Sequence, residues 1–281
     1  MAREKNGVRK TTAKKTGAKR AGSNANPAAP AAATRRPVAQ GSAKRTAIAT
    51  ASNKTARKKS GKASYNPLAP ERIAEILDVL ARTYPGAECA LLHRNAWELV
   101  VATVLSAQCT DARVNMVTPG LFKKFPTPEA FAKAPLVEIE EEIRSTGFYH
   151  NKAKSISGAA KKLIEEFGGN VPKTLNELLR LPGVARKTGN VVLGVAFGLA
   201  EGIVVDTHVL RLSRRLELTT ATEPKQVEQD LIRIIPRERW ISFSHELIHH
   251  GRLICIARKP RCVDCALEKL CNSSDKTWST H

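Results

Sequence analysis

Helical apolar runs cut at short intervals by proline and glycine constrain this chain more than any other feature. Ile73, Ile76, Leu77 and Leu80 recur at i, i+3, i+4 and i+7, and Trp97, Val100, Val101, Val104 and Leu105 mark a second, more apolar stripe. Such spacing places the apolar side chains on one face of a helix of 3.6 residues per turn. Breakers fall between the runs at Pro85-Gly86, Pro119-Gly120, Pro126, Pro135, Gly168-Gly169, Pro182-Gly183 and Pro236. There proline removes a backbone donor, or glycine admits a left-handed residue. No alternating stretch is long enough to require a sheet, and GIVVD (202–206) reads as a connection. The expected fold class is all-α, with length for one large or two small domains after the first 64 residues.

Charge divides the chain in two. The net charge is +20, but residues 1–64 hold 17 Lys and Arg against the single acid Glu4, leaving 29 against 25 for the remainder. This segment is rich in Ala, Lys, Ser, Thr and Pro and has no aromatic residue before Tyr65. It cannot bury enough apolar surface to offset the entropy of ordering, so a disordered basic N-terminal tail is expected. A polyelectrolyte arm of this kind raises non-specific DNA affinity and on-rate. A solubilising extension or an organelle transit peptide would have similar composition, but the Lys-rich, Pro-interrupted, weakly amphipathic pattern favours the DNA arm. No apolar leader opens the chain, so disulfides are not expected, nor is a membrane partner.

The stretch LPGVARKTG, Leu181 to Gly189, carries the sharpest chemistry. Pro182 and Gly183 stop one helical run and Lys187 opens the next. The first N–H groups of a helix lack intrahelical partners and carry the positive end of the macrodipole, which suits Gly183, Ala185 and Arg186 to a DNA phosphate. That positive end, the adjacent Arg186 and partial desolvation would all press Lys187 towards the neutral amine that attacks carbon. A solvated first-turn lysine is the ordinary alternative. Further on, the apolar run of GIVVDTHVLRLSRRL ends at Asp206, a carboxylate placed to take up a proton or stabilise a cationic sugar. The same residue can N-cap a helix beginning near Thr207.

Near the C-terminal end Cys255, Cys262, Cys265 and Cys271 lie at C-x6-C-x2-C-x5-C. Four thiolates in so short a compass read as a metal site, and both tetrahedral zinc and a [4Fe–4S] cluster accept four cysteines. Zinc sites more often show two C-x2-C pairs, and only one is present. Arg258, Lys259 and Arg261 lie in the spacer between the first two cysteines, where a loop anchored at both ends would hold them against phosphates. HELIH (245–249) matches the H-E-x-x-H pattern of zinc proteases. With no third ligand in sight it reads instead as a helix that packs Leu247 and Ile248 inward. Cys89 and Cys109 read as small buried hydrophobes.

LSAQCTD (105–111), LPGVARKTG, VVDTH and the cysteine pattern, in that order, closely resemble the endonuclease III family of helix-hairpin-helix DNA glycosylases. The resemblance covers residues 66 to 272. It implies a two-lobed fold, with a helical barrel domain over 89–200 and a discontinuous iron–sulfur cluster domain from 65–88 and 201–281, the active site lying in the cleft. It also implies a [4Fe–4S] cofactor on the four cysteines, with Lys187 attacking the sugar C1′ and Asp206 assisting. Gln108 matches the glutamine that enters the duplex, and Phe148 stands where a wedge leucine is usual. Ala185 departs from the family, which has a second hairpin glycine there. A lysine at 187 implies combined glycosylase and lyase activity on double-stranded DNA with oxidised pyrimidines or abasic sites. A monomer in the bacterial cytoplasm, at the nucleoid, is expected, with the nucleus or an organelle less favoured. The rival from another class is a non-catalytic hairpin module with a zinc knob.

Overall fold

The computed structural model describes residues 65–278; the expected disordered tail, residues 1–64, lies outside them. Among the described residues there are α-helices and short 3-10 turns but no strand, as the periodicity requires. In chain order the helices are α1 (Pro70–Thr83), α2 (Ala96–Leu105), α3 (Asp111–Lys124), α4 (Pro128–Lys133), α5 (Leu136–Ile143) and α6 (Tyr149–Phe167). There follow α7 (Leu175–Leu178), α8 (Arg186–Phe197), α9 (Thr207–Arg215), α10 (Pro224–Ile234) and α11 (Trp240–Leu253). None is long and apolar enough to cross a membrane.

Local chemistry sets most of these boundaries. Asn95, Thr110, Thr127 and Thr174 each accept a bond from a first-turn N–H of α2, α3, α4 and α7, satisfying donors that the helix leaves open. Pro128 and Pro224 occupy first helical positions, where the missing N–H costs nothing. Gly168 and Gly169 close α6 in the left-handed region.

Pro119-Gly120 does not break the chain: α3 runs through it. Pro119 and Gly120 are exposed, whereas Val114, Thr118, Leu121 and Phe122 on the opposite face are buried. Burying Val114, Leu121 and Phe122 contributes roughly 1.5–3 kcal/mol each, enough to offset a helix-interior proline that costs about 3 kcal/mol.

The buried apolar residues form two clusters. One extends from Leu91 to Leu193 and is built by α2 to α8. The other unites Ile73, Ile76, Leu77 and Leu80 of α1 with residues of α9, α10 and α11 and with Leu267. The chain therefore starts one lobe with α1, leaves to build the other, and returns.

Candidate active site

The turn between α7 and α8 is held from within. The N–H groups of Leu181 and Val184 donate to the carbonyls of Leu178 and Leu181, each at 3.1 Å, and both side chains are buried. Gly183 has φ +80°, and a Cβ there would lie 2.7 Å from Cβ of Ser155 on α6. Glycine is thus required twice, for its backbone angle and for the close approach. Ala185 has φ −92° and ψ 171°, ordinary extended backbone, so the missing second glycine imposes no strain. Gly189 brings α8 against α7, since a Cβ there would meet Leu175 Cδ1 at 2.6 Å.

No side chain caps α8. Its first N–H groups therefore remain available at the positive end of the helix. Arg186 offers less than expected. Its guanidinium is committed to buried Glu228 through Nε at 2.6 Å and Nη2 at 3.0 Å, and Asn190 donates to the same carboxylate at 2.9 Å. The ion pair leaves its backbone N–H, not its charge, free at the helix start.

Lys187 and Asp206 line one cavity of about 580 Å³, together with Glu88, Asp111, His245, His249 and Arg252. Its walls come from helices of both hydrophobic clusters. Asp206 is the N-cap of α9, its Oδ1 accepting from the N–H groups of His208 and Val209 at 2.8 Å each. Both bonds use the same oxygen, so Oδ2 has no hydrogen-bond partner among the described residues, and capping leaves it open to the cavity's chemistry. Lys187 is exposed. The partial desolvation expected for it is not supplied by the protein.

Sequence reasoning missed the walls of this cavity. HELIH lies on α11; Leu247 is buried and Ile248 packs against the second core, as expected, while His245 and His249, with an edge of Ile248, line the cavity. Glu246 turns away, buried and paired with Arg239 at 3.1 Å. The i, i+4 spacing of the two histidines was a true signal of a shared face. Burial, and then the neighbouring His249, hold His245 below the usual histidine range.

Gln108 and Phe148 border a second cavity of about 680 Å³, which Gly183 also lines. Both are left-handed, with φ 53° and 49°, and both are exposed. A left-handed phenylalanine is rare and persists only where its surroundings impose it.

Residues 101–237 match the HhH-GPD superfamily of base excision DNA repair proteins. Endonuclease III of a Synechocystis species is 55% identical over 204 residues, 73% of this chain and 93% of that protein. Endonuclease III of Bacillus subtilis is 48% identical over 207 residues, 73% of this chain and 94% of its own. The chain belongs to the endonuclease III family. Its fold agrees with a solved non-covalent endonuclease III–DNA complex at TM-score 0.69 and 46% identity, over 73% of this chain and 95% of that one. A trapped endonuclease III–DNA covalent intermediate matches at TM-score 0.69 and 47% identity, covering 73% and 96%. Membership makes this chain an enzyme of base excision DNA repair, with the DNA glycosylase and abasic-site lyase activities of the endonuclease III family.

Beyond α11, all four cysteines of the C-x6-C-x2-C-x5-C pattern line one cavity of about 340 Å³. All six cysteines of this endonuclease III relative are free; Cys89 and Cys109 pack against the first core. Burial raises the thiols of Cys255 and Cys271 and pushes Cys265 up to about 11. Buried thiolates therefore require compensating charge, as a metal centre provides. The surroundings fit one. Arg215 Nη1 donates to Cys255 Sγ at 3.2 Å, and the Thr277 N–H to Cys262 Sγ at 3.4 Å. Donors to sulfur are what cluster thiolates need. The loop carrying Arg258, Lys259 and Arg261 is fixed as well, with Arg215 donating to the carbonyls of Ile256 and Ala257 at 2.8 and 3.1 Å. Arg261 pairs with Asp264 at 2.7 Å, whereas Arg258 and Lys259 have no carboxylate partner among the described residues.

Proposed function

We propose that this chain excises oxidised pyrimidines from duplex DNA through a Schiff base on Lys187 and nicks the strand 3′ to the abasic site by β-elimination. The observation that carries this reading is the single cavity lined by Lys187 and Asp206. The target nucleotide is rotated out of the stack at a cost of a few kcal/mol, least for a damaged base. Gln108 and Phe148 fill or prop the gap. The N–H groups at Gly183, Ala185 and Arg186 receive a backbone phosphate, and Arg258 and Lys259, with Arg261 shared with Asp264, meet another.

The neutral amine of Lys187 attacks C1′ as the glycosidic bond breaks and the base leaves with the bonding electrons. Asp206, as carboxylate, accepts the proton released by the amine or stabilises the developing sugar cation. Opening of the sugar ring gives an iminium between Nζ and C1′. Loss of the C2′ proton then expels the 3′ phosphate, and water releases the lysine. Support comes from the trapped endonuclease III–DNA covalent intermediate, whose chain is 47% identical to this one.

A [4Fe–4S] cluster would be held by Cys255, Cys262, Cys265 and Cys271, acting as a staple for the basic loop. Double-stranded DNA is the partner, bound by a monomer in the bacterial cytoplasm at the nucleoid. The basic N-terminal segment, outside the described residues, serves as a non-specific DNA arm.

Borohydride trapping on a duplex with one thymine glycol or abasic site tests the reading. A covalent adduct from a yellow-brown wild type, absent from Lys187→Ala, supports lyase and cluster together. A folded, DNA-binding wild type that gave no adduct would leave a monofunctional glycosylase or a binding module.

A further inference from the structure

Beneath the loops that carry Gln108 and Phe148 lies a buried lysine. Lys152, on α6, is 4% exposed. Its Nζ donates to the carbonyl of Leu105 at 2.8 Å and to that of Thr146 at 2.8 Å. Leu105 is the last residue of α2, just before the turn that presents Gln108. Thr146 ends the short 3-10 turn that leads through Gly147 to Phe148. The lysine also lines the cavity bordered by Gln108, Phe148 and Gly183.

A buried ammonium is costly, and no carboxylate pairs with this one among the described residues. Desolvation is the first cause that lowers its pKa. An apolar side chain would fill the space at lower cost, but it could not hold two carbonyls at once. The two carbonyls belong to separate segments, 47 and 6 residues from Lys152 in sequence. Each precedes a left-handed, non-glycine residue whose side chain is exposed.

We propose that Lys152 is a positioning residue that ties these two turns to one point, fixing the spacing at which Gln108 and Phe148 enter the duplex together. This rests on the reading of those two residues as groups that fill the gap left by the extruded nucleotide. Lys152 touches no reacting atom. Its loss therefore impairs extrusion from a duplex and spares imine chemistry on a sugar that needs no extrusion.

The test compares wild type, Lys152→Met and Lys152→Arg on two substrates: a thymine glycol duplex with 2-aminopurine beside the lesion, and a single-stranded abasic oligonucleotide trapped with borohydride. For Lys152→Met, duplex excision falls on the order of 10- to 100-fold, the scale expected of a small misplacement. The 2-aminopurine signal falls with it, while single-strand trapping stays within about twofold of wild type. Lys152→Arg keeps the charge and restores part of the duplex rate. In a Phe148→Ala background the further loss from Lys152→Met shrinks, because both changes act on one device. Equal losses on both substrates, or unchanged duplex excision and fluorescence, overturn the proposal. Should the methionine variant not fold, the arginine variant decides, since its longer, planar fork cannot bring both carbonyls to one nitrogen and must lower the ratio of duplex to single-strand activity. A wild type that fails to trap on either substrate overturns the Lys187 reading instead, so the two failures are separable.

Discussion

Arg252 of α11 donates to the carboxylate of Asp111, the first residue of α3, at 2.6 Å. The pair joins helices of the two hydrophobic cores at the wall of the cavity that contains Lys187. The side chains are 41% and 24% exposed, and pairs so open to water contribute only about 0–1 kcal/mol. Its importance therefore lies in where it holds Arg252. In Asp111→Asn the guanidinium is released to compete for Asp206 across the same cavity. Thermal stability is expected to change by no more than a few degrees, in line with about 1 kcal/mol, while single-turnover excision slows severalfold. A large loss of stability with an unchanged rate would contradict this.

The observed N-cap role of Asp206 and its proposed role as proton acceptor can be separated by substitution. Asparagine is as good an N-cap as aspartate, so Asp206→Asn should preserve stability to within about 0.5 kcal/mol, whereas Asp206→Ala should lose about 1 kcal/mol. Both variants lose the carboxylate, and excision should fall by about 10² or more in each. Denaturant unfolding beside single-turnover kinetics measures the two effects independently.

The hairpin tolerates change unevenly. Gly183→Ala forces a Cβ into Ser155 at a φ of +80°, and about 1–3 kcal/mol of stability should be lost. DNA affinity should fall with it as the turn is distorted. Ala185→Gly restores the residue usual in the family, yet the backbone there is already relaxed. Its effect on stability should stay within about 1 kcal/mol. A fluorescence-anisotropy titration of an abasic-analogue duplex, run beside urea unfolding, ranks the two.

Acid should weaken the fold through two half-buried histidines. Burial is the first cause that holds His208 and His245 below the ordinary value of 6.5. As the pH falls below 6.5 the unfolded chain takes up protons that the folded one refuses, so stability present above 6.5 is lost progressively on acidification. His245→Gln should flatten this decline, measured as Tm between neutral and mildly acid pH. A decline as steep as that of the wild type would show that His245 has no part in it.

Much of the site could be read in the sequence, because the signals are local. The α1 stripe, the Pro-Gly turn before Lys187 and the apolar run ending at Asp206 each depend on residues within a turn or two of one another. What could not be read depends on closure of the chain. The guanidinium of Arg186 looked free for a phosphate because Glu228, its partner, lies 42 residues further on. Pro119 looked like a helix end because the burial of Leu121 and Phe122 belongs to the packed lobe. The histidines of α11 looked structural because the opposite wall of their cavity comes from other helices. Lys152 gave no sign at all, since its partners are backbone carbonyls that every sequence has.

The return of the chain to its starting lobe sets an order of assembly. A ribosome releases α1 early, yet Ile73, Ile76, Leu77 and Leu80 find their cover only among α9, α10 and α11. The intervening helices can close their own core before those last helices emerge, since domains made first generally fold first. Asp206 and the α11 wall reach Lys187 only when the final lobe shuts around α1. In that order of assembly, Lys187 and Asp206 come to line one cavity only once the last helices have closed on α1.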